Sequence, residues 1–300
     1  MPRAGGDPGL SNMPDPTGTV QEAPGRVLLV GCGKLGTRLG ERLLSAGAEV
    51  FALRRNTAGL PGAFSALPVD LREPVQRELP RVDAMVITLT PDIQEAADRS
   101  NGYLAALRNL ATALPSRPRR VVFVSSTRVF EGRTDHRALT EVDTPAPLTP
   151  RGRTLRDGEL LASELFGAHI VRPAGIYGPG REMLLRKVID GAPVQYARRT
   201  NRIHETDLVR TLQTLLFVEN PPPILHAVDQ TPATLGEVVT YIAQRLGLQP
   251  PPRIQPDVAS GTILSGALLL SLLGTLQYPT FEAGYDHVIA TRNEQTSPQT

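Results

Sequence analysis

A glycine-rich turn that directly follows a short apolar run is the feature that most constrains the fold. The run covers residues 27–30, and the turn at 31–36 reads Gly-Cys-Gly-Lys-Leu-Gly and leads into a helix-length segment. In such a unit the glycines permit a tight turn, a close approach of backbone amides to a diphosphate, and close packing of the helix on the sheet. The helix start also presents unpaired N–H groups to phosphate oxygens. The sequence therefore predicts a dinucleotide site lined by Gly31, Gly33, Lys34, Leu35 and Gly36.

Strand-length apolar runs alternate with helix-length segments along most of the chain. Strands are predicted at 27–30, 49–53, 67–69, 84–89, 121–124 and 170–171, and helices at 37–46, 93–114 and 151–166. The apolar runs lack alternating polar residues, which is typical of strands buried on both faces of a parallel sheet. We therefore predict an α/β fold, a doubly wound parallel sheet of the Rossmann type with a smaller C-terminal substrate lobe.

The composition along the chain divides it into segments. Residues 1–25 are rich in Pro, Gly, Asp and Thr and lack the apolar core of a signal peptide, so we expect a disordered leader. The predicted dinucleotide-binding domain covers 26–177. The substrate lobe takes most of 178–291, except that 201–228 return to the Rossmann sheet, and a polar tail covers 292–300.

A late apolar run at 263–273 is shorter than the ~20 apolar residues of a membrane-spanning helix. We interpret it as a buried helix of the smaller lobe. Its part at 268–273 leaves two interpretations open: contact with a second copy of the chain in a homodimer, or completion of the core of that lobe.

Charge and cysteine content exclude several classes of partner. The 300 residues carry 32 basic and 30 acidic side chains, a net charge of +2, without a long run of one sign, so neither a nucleic acid nor a membrane is expected to bind. One cysteine and five dispersed histidines offer no metal site and no intrachain disulfide, which is typical of the reducing cytoplasm. Cys32 is interpreted either as a small residue near the ligand or as a redox-sensing thiol.

Two arginines end the second predicted strand, in the sequence Leu53-Arg54-Arg55-Asn56. A site that prefers NAD usually carries an acidic residue there for the ribose 2′-hydroxyl. Guanidinium groups instead suit a 2′-phosphate, because each can donate two parallel charge-assisted hydrogen bonds. The sequence thus favours NADP over NAD, and the alternative is that Arg54 and Arg55 end the strand in solvent.

Three separated motifs add to the glycine turn. They are Val-Phe-Val-Ser-Ser-Thr-Arg-Val-Phe at 122–130, Val-Arg-Pro-Ala-Gly-Ile-Tyr-Gly-Pro-Gly-Arg at 171–181 and Asn-Arg-Ile-His-Glu-Thr-Asp-Leu at 201–208. With them, the chain from roughly residue 26 to residue 289 resembles the extended short-chain dehydrogenase/reductase superfamily of NAD(P)-dependent epimerases, dehydratases and reductases. The last motif, with Tyr-Pro-Thr at 278–280 and Gly-Tyr at 284–285, is most similar to a small atypical subgroup.

The resemblance implies roles for further residues. The positions that match cofactor contacts are Asp70 and Leu71 beside the adenine ring, Leu89 and Thr90 beside a ribose, and Pro173 and Ile176 beside the carboxamide. Ser125 would face the cofactor, and Ser126 would hydrogen-bond the reacting oxygen. A second interpretation of these two serines is that their hydroxyls satisfy the end of a strand.

The resemblance fails at the residues that transfer protons. Family members that transfer hydride carry a Tyr-x-x-x-Lys pair at the start of the helix after the Ser-Ser strand, where the Lys lowers the pKa of the Tyr. Arg151 and Leu155 occupy the matching positions here. Arginine keeps its proton at physiological pH and leucine carries no charge, so we expect the usual proton transfer to be absent.

Other residues could take over this chemistry. The candidates are Tyr177, His204 or a water held by Ser126, since the unperturbed pKa of histidine suits neutral pH. His204 could equally position the helix that follows it, and Tyr177 could equally belong to a turn. Arg151 could clamp an anionic group of the substrate. Tyr103, in the helix predicted at 93–114, is interpreted as a packing residue.

Two functions are compatible with these residues. Arg181, Arg202 and His204 are expected to line the opening between the lobes, which favours a substrate with a carboxylate, phosphate or diphosphate. The first function is an NADP-dependent oxidoreductase or epimerase that acts on a small anionic metabolite or a nucleotide sugar. The second is a non-catalytic NADP-binding sensor or interaction protein of the same fold, which Arg151 and Leu155 favour.

Overall fold

A computed structural model describes residues 24–91 and 100–296, with a seven-stranded sheet at the centre. The strands are β1 (Arg26–Val30), β2 (Glu49–Arg54), β3 (Ser65–Pro68), β4 (Ala84–Ile87), β5 (Arg120–Val124), β6 (Ala138–Leu139), β7 (His169–Pro173), β8 (Gly175–Tyr177), β9 (Arg199–Thr200), β10 (Arg202–His204), β11 (Ile224–Ala227), β12 (Ala233–Thr234) and β13 (Ile263–Leu264). The central sheet has the order β11-β7-β5-β4-β1-β2-β3, and its pairings are parallel. The predicted doubly wound parallel sheet is confirmed.

Helices cover both faces of this sheet. The helices of the described residues are α1 (Lys34–Ser45), α2 (Ser100–Ala113), α3 (Pro150–Phe166), α4 (Met183–Ile189), α5 (Glu205–Phe217), α6 (Leu235–Leu246), α7 (Ala267–Leu273) and α8 (Phe281–Thr296). Of these, α1 and α5 cover one face of the sheet, and α2 and α3 cover the other. Val27 and Leu29 of β1 belong to the core under α1 and α5, whereas Leu28 and Val30 belong to the core under α2 and α3. Successive strand residues point to opposite faces, so β1 needs apolar side chains at all four positions.

A smaller lobe has a core of its own. Buried side chains of α4, α6 and α8 pack together there, including Leu185, Val239 and Val288, and Tyr177 at the end of β8 joins them. Helix α6 begins with a capping box, in which Thr234 and Glu237 satisfy each other's backbone N–H groups. This lobe lies after β7 in the sequence, as the break in the predicted strand–helix alternation indicates.

The sheet register decides which loops come together. Val30 at the end of β1 pairs with Leu53 of β2 on one side and with Ile87 of β4 on the other. Parallel strands therefore bring the glycine turn, the arginines after β2 and the segment after β4 to one edge of the sheet. Ligands of open parallel sheets bind at this carboxyl edge.

Some predicted boundaries differ from the structure. Helix α1 begins at Lys34 rather than at residue 37, because Gly36 is accommodated within its first turn. Helix α3 begins at Pro150 with Thr149 as its N-cap. The expected leader up to residue 23, the start of the helix predicted at 93–114 and the end of the polar tail lie outside the described residues.

The interpretation of the late apolar run is wrong. Residues 263–264 form a strand paired with β6, and only the seven residues of α7 are helical. Leu269 is the buried residue of α7, and it packs in the core under α1 and α5 rather than in the smaller lobe. The run is apolar because it closes one edge of the nucleotide-side core. No helix in residues 24–91 and 100–296 has both the length and the apolar character that crossing a membrane requires.

Candidate functional site

The glycine turn lies at the carboxyl edge of the sheet, between β2 and β4. Gly31 has a φ of +77°, and its N–H donates to the carbonyl of Leu53 at 2.9 Å. A Cβ on Gly31 would lie 3.0 Å from the side chain of Leu89 and 3.2 Å from its backbone nitrogen. Glycine is therefore needed here both for the left-handed conformation and for the close contact with the chain after β4.

Gly33 precedes α1 and leaves the start of this helix open. No side chain caps it, and a Cβ on Gly33 would meet only the carbonyl of Gly31, at 3.9 Å. The amides of Lys34, Leu35 and Gly36 have no acceptor within the helix because of their position in its first turn. An anion could approach these amides closely, as the predicted diphosphate site requires.

A cavity of about 780 Å³ opens at this turn. The predicted cofactor residues among its lining are Gly31, Gly33, Arg54, Arg55, Asp70, Leu71, Leu89 and Thr90. They follow four neighbouring strands, β3, β2, β1 and β4, in the order of the sheet. We call this the dinucleotide cavity. Its shape and its glycine turn fit a bound dinucleotide.

Cationic groups dominate one end of the dinucleotide cavity. Nη1 of Arg54 donates to the carbonyl of Cys32 at 3.1 Å, which ties this guanidinium to the glycine turn. Asp70 is paired with Arg72, whose Nε lies 3.0 Å from Oδ1, and this hydrogen bond lowers the pKa of Asp70. Arg55 lines the cavity beside them. The local charge is therefore positive although an aspartate is present.

Cys32 lies in the middle of the turn and is fully buried. Burial raises the pKa of its thiol, and Gly36 lies against it, since a Cβ there would be 3.2 Å from Sγ. A buried thiol with a raised pKa is a poor nucleophile. The structure therefore favours the interpretation of Cys32 as a small packing residue over that of a redox sensor.

Ser125 does not face the cavity, contrary to the prediction. It is buried, and its hydroxyl donates to Oε1 of Glu159 at 2.7 Å. Glu159 also accepts from Arg172, through Nε at 2.9 Å and Nη2 at 2.8 Å, and from Arg156. Burial by itself would raise the pKa of Glu159, but the hydrogen bonds from Arg172, Ser125 and Arg156 lower it below its usual range. Ser125 thus belongs to a buried network that satisfies the end of β5.

Ser126 lines a second cavity, of about 760 Å³, on the side of the smaller lobe. Its Oγ accepts a hydrogen bond from the N–H of Arg128 at 3.2 Å, and the hydroxyl proton stays available to a ligand. The cationic side chains that line this cavity are Arg128, Arg181, Lys187, Arg198, Arg199 and Arg202, and the acidic one among its described lining is Glu131. We call it the cationic cavity. It brings together the predicted residues Ser126, Ile176, Arg181 and Arg202.

Tyr177 is placed for packing rather than for acid–base chemistry. Its ring stacks on Tyr285 with centroids 4.7 Å apart, and its hydroxyl reaches the carbonyl of Thr280 at 3.5 Å. A Cβ on Gly284 would fall 1.9 Å from the hydroxyl oxygen, so glycine there makes room for it. Burial raises the pKa of Tyr177, and the proton is held inside the smaller lobe. Tyr177 also lines the cationic cavity with Ser126, but its hydroxyl is directed at a backbone carbonyl, so its catalytic role stays a prediction.

His204 is the N-cap of α5 and is fully buried. Its Nδ1 accepts from the N–H of Thr206 at 3.2 Å, so the neutral ring carries its hydrogen on Nε2, which lies 3.3 Å from Nδ1 of His287. Burial lowers the pKa of His204 to about 3. Of the two interpretations of His204, positioning of the helix agrees with these contacts, and the substrate-side role does not.

Three more predicted residues have clear positions. Arg151 lines the dinucleotide cavity, and Leu155, one turn further along α3, packs in a core with Val129 and Phe130. Pro173 ends β7, pairs with Ala227 in the sheet and lines neither cavity. The place of Pro173 beside a bound carboxamide therefore stays a prediction.

The sequence does not indicate the contacts that join α1 to the loop after β8. Nζ of Lys34 donates to the carbonyl of Gly180 at 3.1 Å, and Nη2 of Arg38 donates to that of Pro179 at 3.3 Å. Arg38 also forms an ion pair with the buried Glu205, at 2.5 Å, and Arg181 lies 3.6 Å from the same carboxylate. The contacts of Lys34 and Arg38 join residues more than a hundred positions apart in sequence, so no local pattern could have revealed them. They hold the two cavities together.

Metal binding has no support in the part of the chain that the structure describes. Residues 24–91 and 100–296 contain no group of three or more His, Cys, Asp or Glu side chains that could hold an ion. The histidine pair His204 and His287 is used for packing, with a ring-centroid distance of 5.2 Å.

Several solved structures share this fold. A protein from Methylobacillus flagellatus described as an NAD-dependent epimerase/dehydratase has a TM-score of 0.75 and 27% identity, over 90% of this chain and 99% of that one. MoeE5 in complex with UDP-glucuronic acid and NAD has a TM-score of 0.71 and 22% identity, over 90% and 100%. DesIV, a dTDP-glucose 4,6-dehydratase from Streptomyces venezuelae with NAD bound, has a TM-score of 0.70 and 20% identity, over 90% and 97%.

The sequence itself matches a known family. No curated protein matches the chain. A protein-family model described as the RmlD substrate binding domain matches residues 25–195, which is more than half of the chain. The glycine turn, six of the seven strands of the central sheet and the Ser126 strand end lie within that range. The chain therefore belongs to the RmlD substrate binding domain family, within the extended short-chain dehydrogenase/reductase superfamily.

Proposed function

We propose that this protein binds NADP and acts as an oxidoreductase or epimerase on a nucleotide sugar or another small anionic metabolite. The observation that carries the proposal is the arrangement of two cavities at the start of α3. Thr149, the N-cap of this helix, lines the cationic cavity, and Arg151 lines the dinucleotide cavity. A cofactor and an anionic substrate bound there would lie on the two sides of one helix turn.

The preference for NADP rests on the residues after β2. Arg54 and Arg55 line the dinucleotide cavity, and Arg72 neutralises Asp70, the acidic residue at the same end. A 2′-phosphate would therefore meet guanidinium groups without an opposing free carboxylate. MoeE5 and DesIV hold NAD, so the proposal distinguishes this chain from them.

The anionic substrate class rests on the cationic cavity. Six cationic side chains and one carboxylate line it, which creates a strongly positive potential in a partly enclosed space. Arg202 is nearly buried and lies over the ring of Phe281 at 5.3 Å, so its orientation is fixed before a ligand binds. A diphosphate or a carboxylate of the substrate would satisfy these groups.

The bound dinucleotide would supply hydride transfer. The part left to this chain is to orient the reacting oxygen, and the hydroxyl of Ser126 in the cationic cavity is the group we assign to it. We also propose that residues 26–177 bind the cofactor and that most of 178–291 binds the substrate, whereas 201–228 belong to the sheet.

A second function is favoured by one specific observation. Arg151 and Leu155 stand where the proton-transferring pair is expected, Leu155 is packed in a core, and Tyr177 and His204 are engaged in packing. A protein that binds NADP without turnover, as a sensor or an interaction partner, would tolerate this arrangement.

One set of measurements separates the two functions. The purified chain is analysed by mass spectrometry for bound nucleotide and is then incubated with a panel of nucleotide sugars and carbonyl compounds. The absorbance of reduced nicotinamide measures net redox turnover, and chromatography of the sugar products measures epimerisation, which leaves that absorbance unchanged. Turnover with an anionic member of the panel is the expected result. Tight NADP binding with no turnover across the panel would establish the second function, and no binding of either pyridine nucleotide would contradict both.

A further inference from the structure

Two side chains from different helices meet at one end of the dinucleotide cavity. Tyr103 of α2 and Arg151 of α3 line it together with Leu89, Thr90 and Pro91, which follow β4. Helices α2 and α3 pack side by side on the same face of the sheet. This end lies opposite to Arg54, because the order of the sheet places the residues after β3 and β2 on the far side of the glycine turn.

The ring of Tyr103 packs against α3 at Gly158. A Cβ on Gly158 would lie 2.7 Å from Cε1 of Tyr103, so the ring occupies space that glycine leaves open. The hydroxyl reaches the carbonyl of Leu89 at only 3.5 Å, a long hydrogen bond that a better acceptor could replace. Burial raises the pKa of Tyr103, so its hydroxyl remains a donor at physiological pH. The sequence alone indicates only packing for this residue.

Arg151 lies in the first turn of α3. Its Nε is buried and has no hydrogen-bond partner among residues 24–91 and 100–296. Positions 151 and 155 are four apart and lie on the same face of the helix. Arg151 lines the dinucleotide cavity, whereas the side chain of Leu155 packs in a core and offers no donor.

We propose that Arg151 and Tyr103 together bind the nicotinamide-side ribose of the dinucleotide. This inference rests on the proposed dinucleotide binding. The pair supplies a guanidinium and a neutral hydroxyl, which are donors that suit the hydroxyl oxygens of a ribose. Its place beyond the glycine turn, away from Arg54 and Arg55, assigns it to the half of the dinucleotide that does not carry adenosine.

The test compares two ligands by titration calorimetry on the full chain. NADP contains the nicotinamide-side ribose, whereas 2′-phosphorylated ADP ends before it. We expect Arg151→Ala to weaken NADP about tenfold or more, equivalent to ~1.4 kcal/mol, and to leave 2′-phosphorylated ADP within about twofold. Arg151→Lys should lose less, and Tyr103→Phe, which keeps the packing over Gly158, should weaken NADP roughly threefold to tenfold.

Arg153→Ala is the matched control. It removes the same charge from the same helix turn, but Arg153 is exposed and donates to the carbonyl of Leu148. Its affinity for both ligands should equal that of the wild type, and thermal unfolding of each variant checks that it folds.

Several outcomes would overturn the inference. Unchanged NADP affinity in both Arg151→Ala and Tyr103→Phe would do so, as would equal losses for the two ligands, which would indicate a general effect on the cavity. Equal affinity of the wild type for the two ligands would overturn it while leaving the proposed function intact. If the wild type bound neither ligand, the proposed function itself would fail.

Discussion

The dinucleotide cavity and the cationic cavity are built in different ways. The first is lined by residues that directly follow neighbouring parallel strands, and its central element is a turn of six consecutive residues. The second takes side chains from the loop after β5, from α4, from 198–202 and from 260–264. Backbone groups and glycines shape the first, whereas long cationic side chains shape the second. The first can therefore be read from a local motif, and the second only from the tertiary structure.

The two regions also differ in what their polar groups do. Near the dinucleotide cavity, the first amides of α1 and the guanidinium groups after β2 remain available to a ligand. Near the cationic cavity, Ser125, Tyr177 and His204 are engaged in hydrogen bonds or packing within the protein. Polar residues of a family motif can thus support the fold beside a site without reaching the ligand.

The largest expected effect concerns the buried network beneath Ser126. Glu159→Ala leaves the fully buried guanidinium of Arg172 without its partner, so the free energy of unfolding should fall by roughly 3–5 kcal/mol. Urea denaturation measures it. Glu49→Ala, which breaks the half-exposed pair with Arg26, should cost less than about 1 kcal/mol. Equal losses in the two variants would mean that the network does not anchor the cationic side of the molecule.

Gly33→Val addresses the glycine turn. The φ of Gly33 is −91° and the space around its Cβ position is open, so the fold should keep its stability. The added side chain would occupy the approach of a diphosphate, and we expect dinucleotide affinity to fall about a hundredfold or more. Gly62→Ala, at another open position without a positive φ, is the control and should bind as the wild type does. Retained affinity in Gly33→Val would place the ligand elsewhere.

Replacing Arg54 and Arg55 by alanine tests whether the dinucleotide cavity distinguishes NADP from NAD. Each guanidinium should contribute roughly tenfold to the binding of a 2′-phosphate, because a hydrogen bond to a charged group contributes about 1.5–3 kcal/mol. NADP affinity should therefore fall much more than NAD affinity. Titration calorimetry with both nucleotides measures the ratio, and equal losses for the two would refute the assignment of the arginines to a 2′-phosphate.

A further expected effect, on stability rather than on binding, is the pH dependence that His204 causes. Burial lowers its pKa to about 3, whereas the unfolded chain titrates near ~6.5. The stability that neutral His204 contributes is complete above that value and is lost as the pH falls toward 3, by up to ~1.4 kcal/mol per pH unit. His204→Asn keeps an N-cap acceptor and should flatten this slope in urea titrations between about pH 7 and pH 5.

A second measurement on the same variant tests the structural role of His204. Dinucleotide affinity should be unchanged in His204→Asn, because the wild-type ring lines neither cavity. Buried His226, whose pKa burial lowers to about 4, contributes to the slope in both proteins, so the difference between them is the readout. The same pH slope in the two proteins would show that the pKa of His204 is the same in the folded and the unfolded chain, which would contradict its burial.

The parallel sheet could be predicted from the sequence because the strands of this sheet are buried on both faces. Continuous apolar runs such as 27–30 and 121–124 leave few other folds open, and the glycine turn identifies the edge where a ligand would bind. The helix at 267–273 was misplaced because apolar composition alone does not tell which of two cores a segment completes. The strand β13 at the start of the same apolar run pairs with β6, which is more than a hundred residues away in sequence.

The residues of the candidate site also differ in how far the sequence could predict their positions. The position of Arg54, Asp70 and Leu89 at one edge of the sheet could be predicted because each lies at or just after the end of a strand. The orientation of the Ser125 hydroxyl depends on Glu159, 34 residues later, and the contacts of Lys34 depend on Gly180, 146 residues later. Such pairings are set by tertiary packing, which no pattern within one chain segment encodes.

The central claim is that amides at the start of α1 receive the phosphates of an adenine dinucleotide. Titration of the folded, nucleotide-free protein with NADP and then with NAD tests it most directly. The account predicts saturable binding of both with the tighter constant for NADP. Absence of binding by either nucleotide to protein that unfolds cooperatively would contradict it.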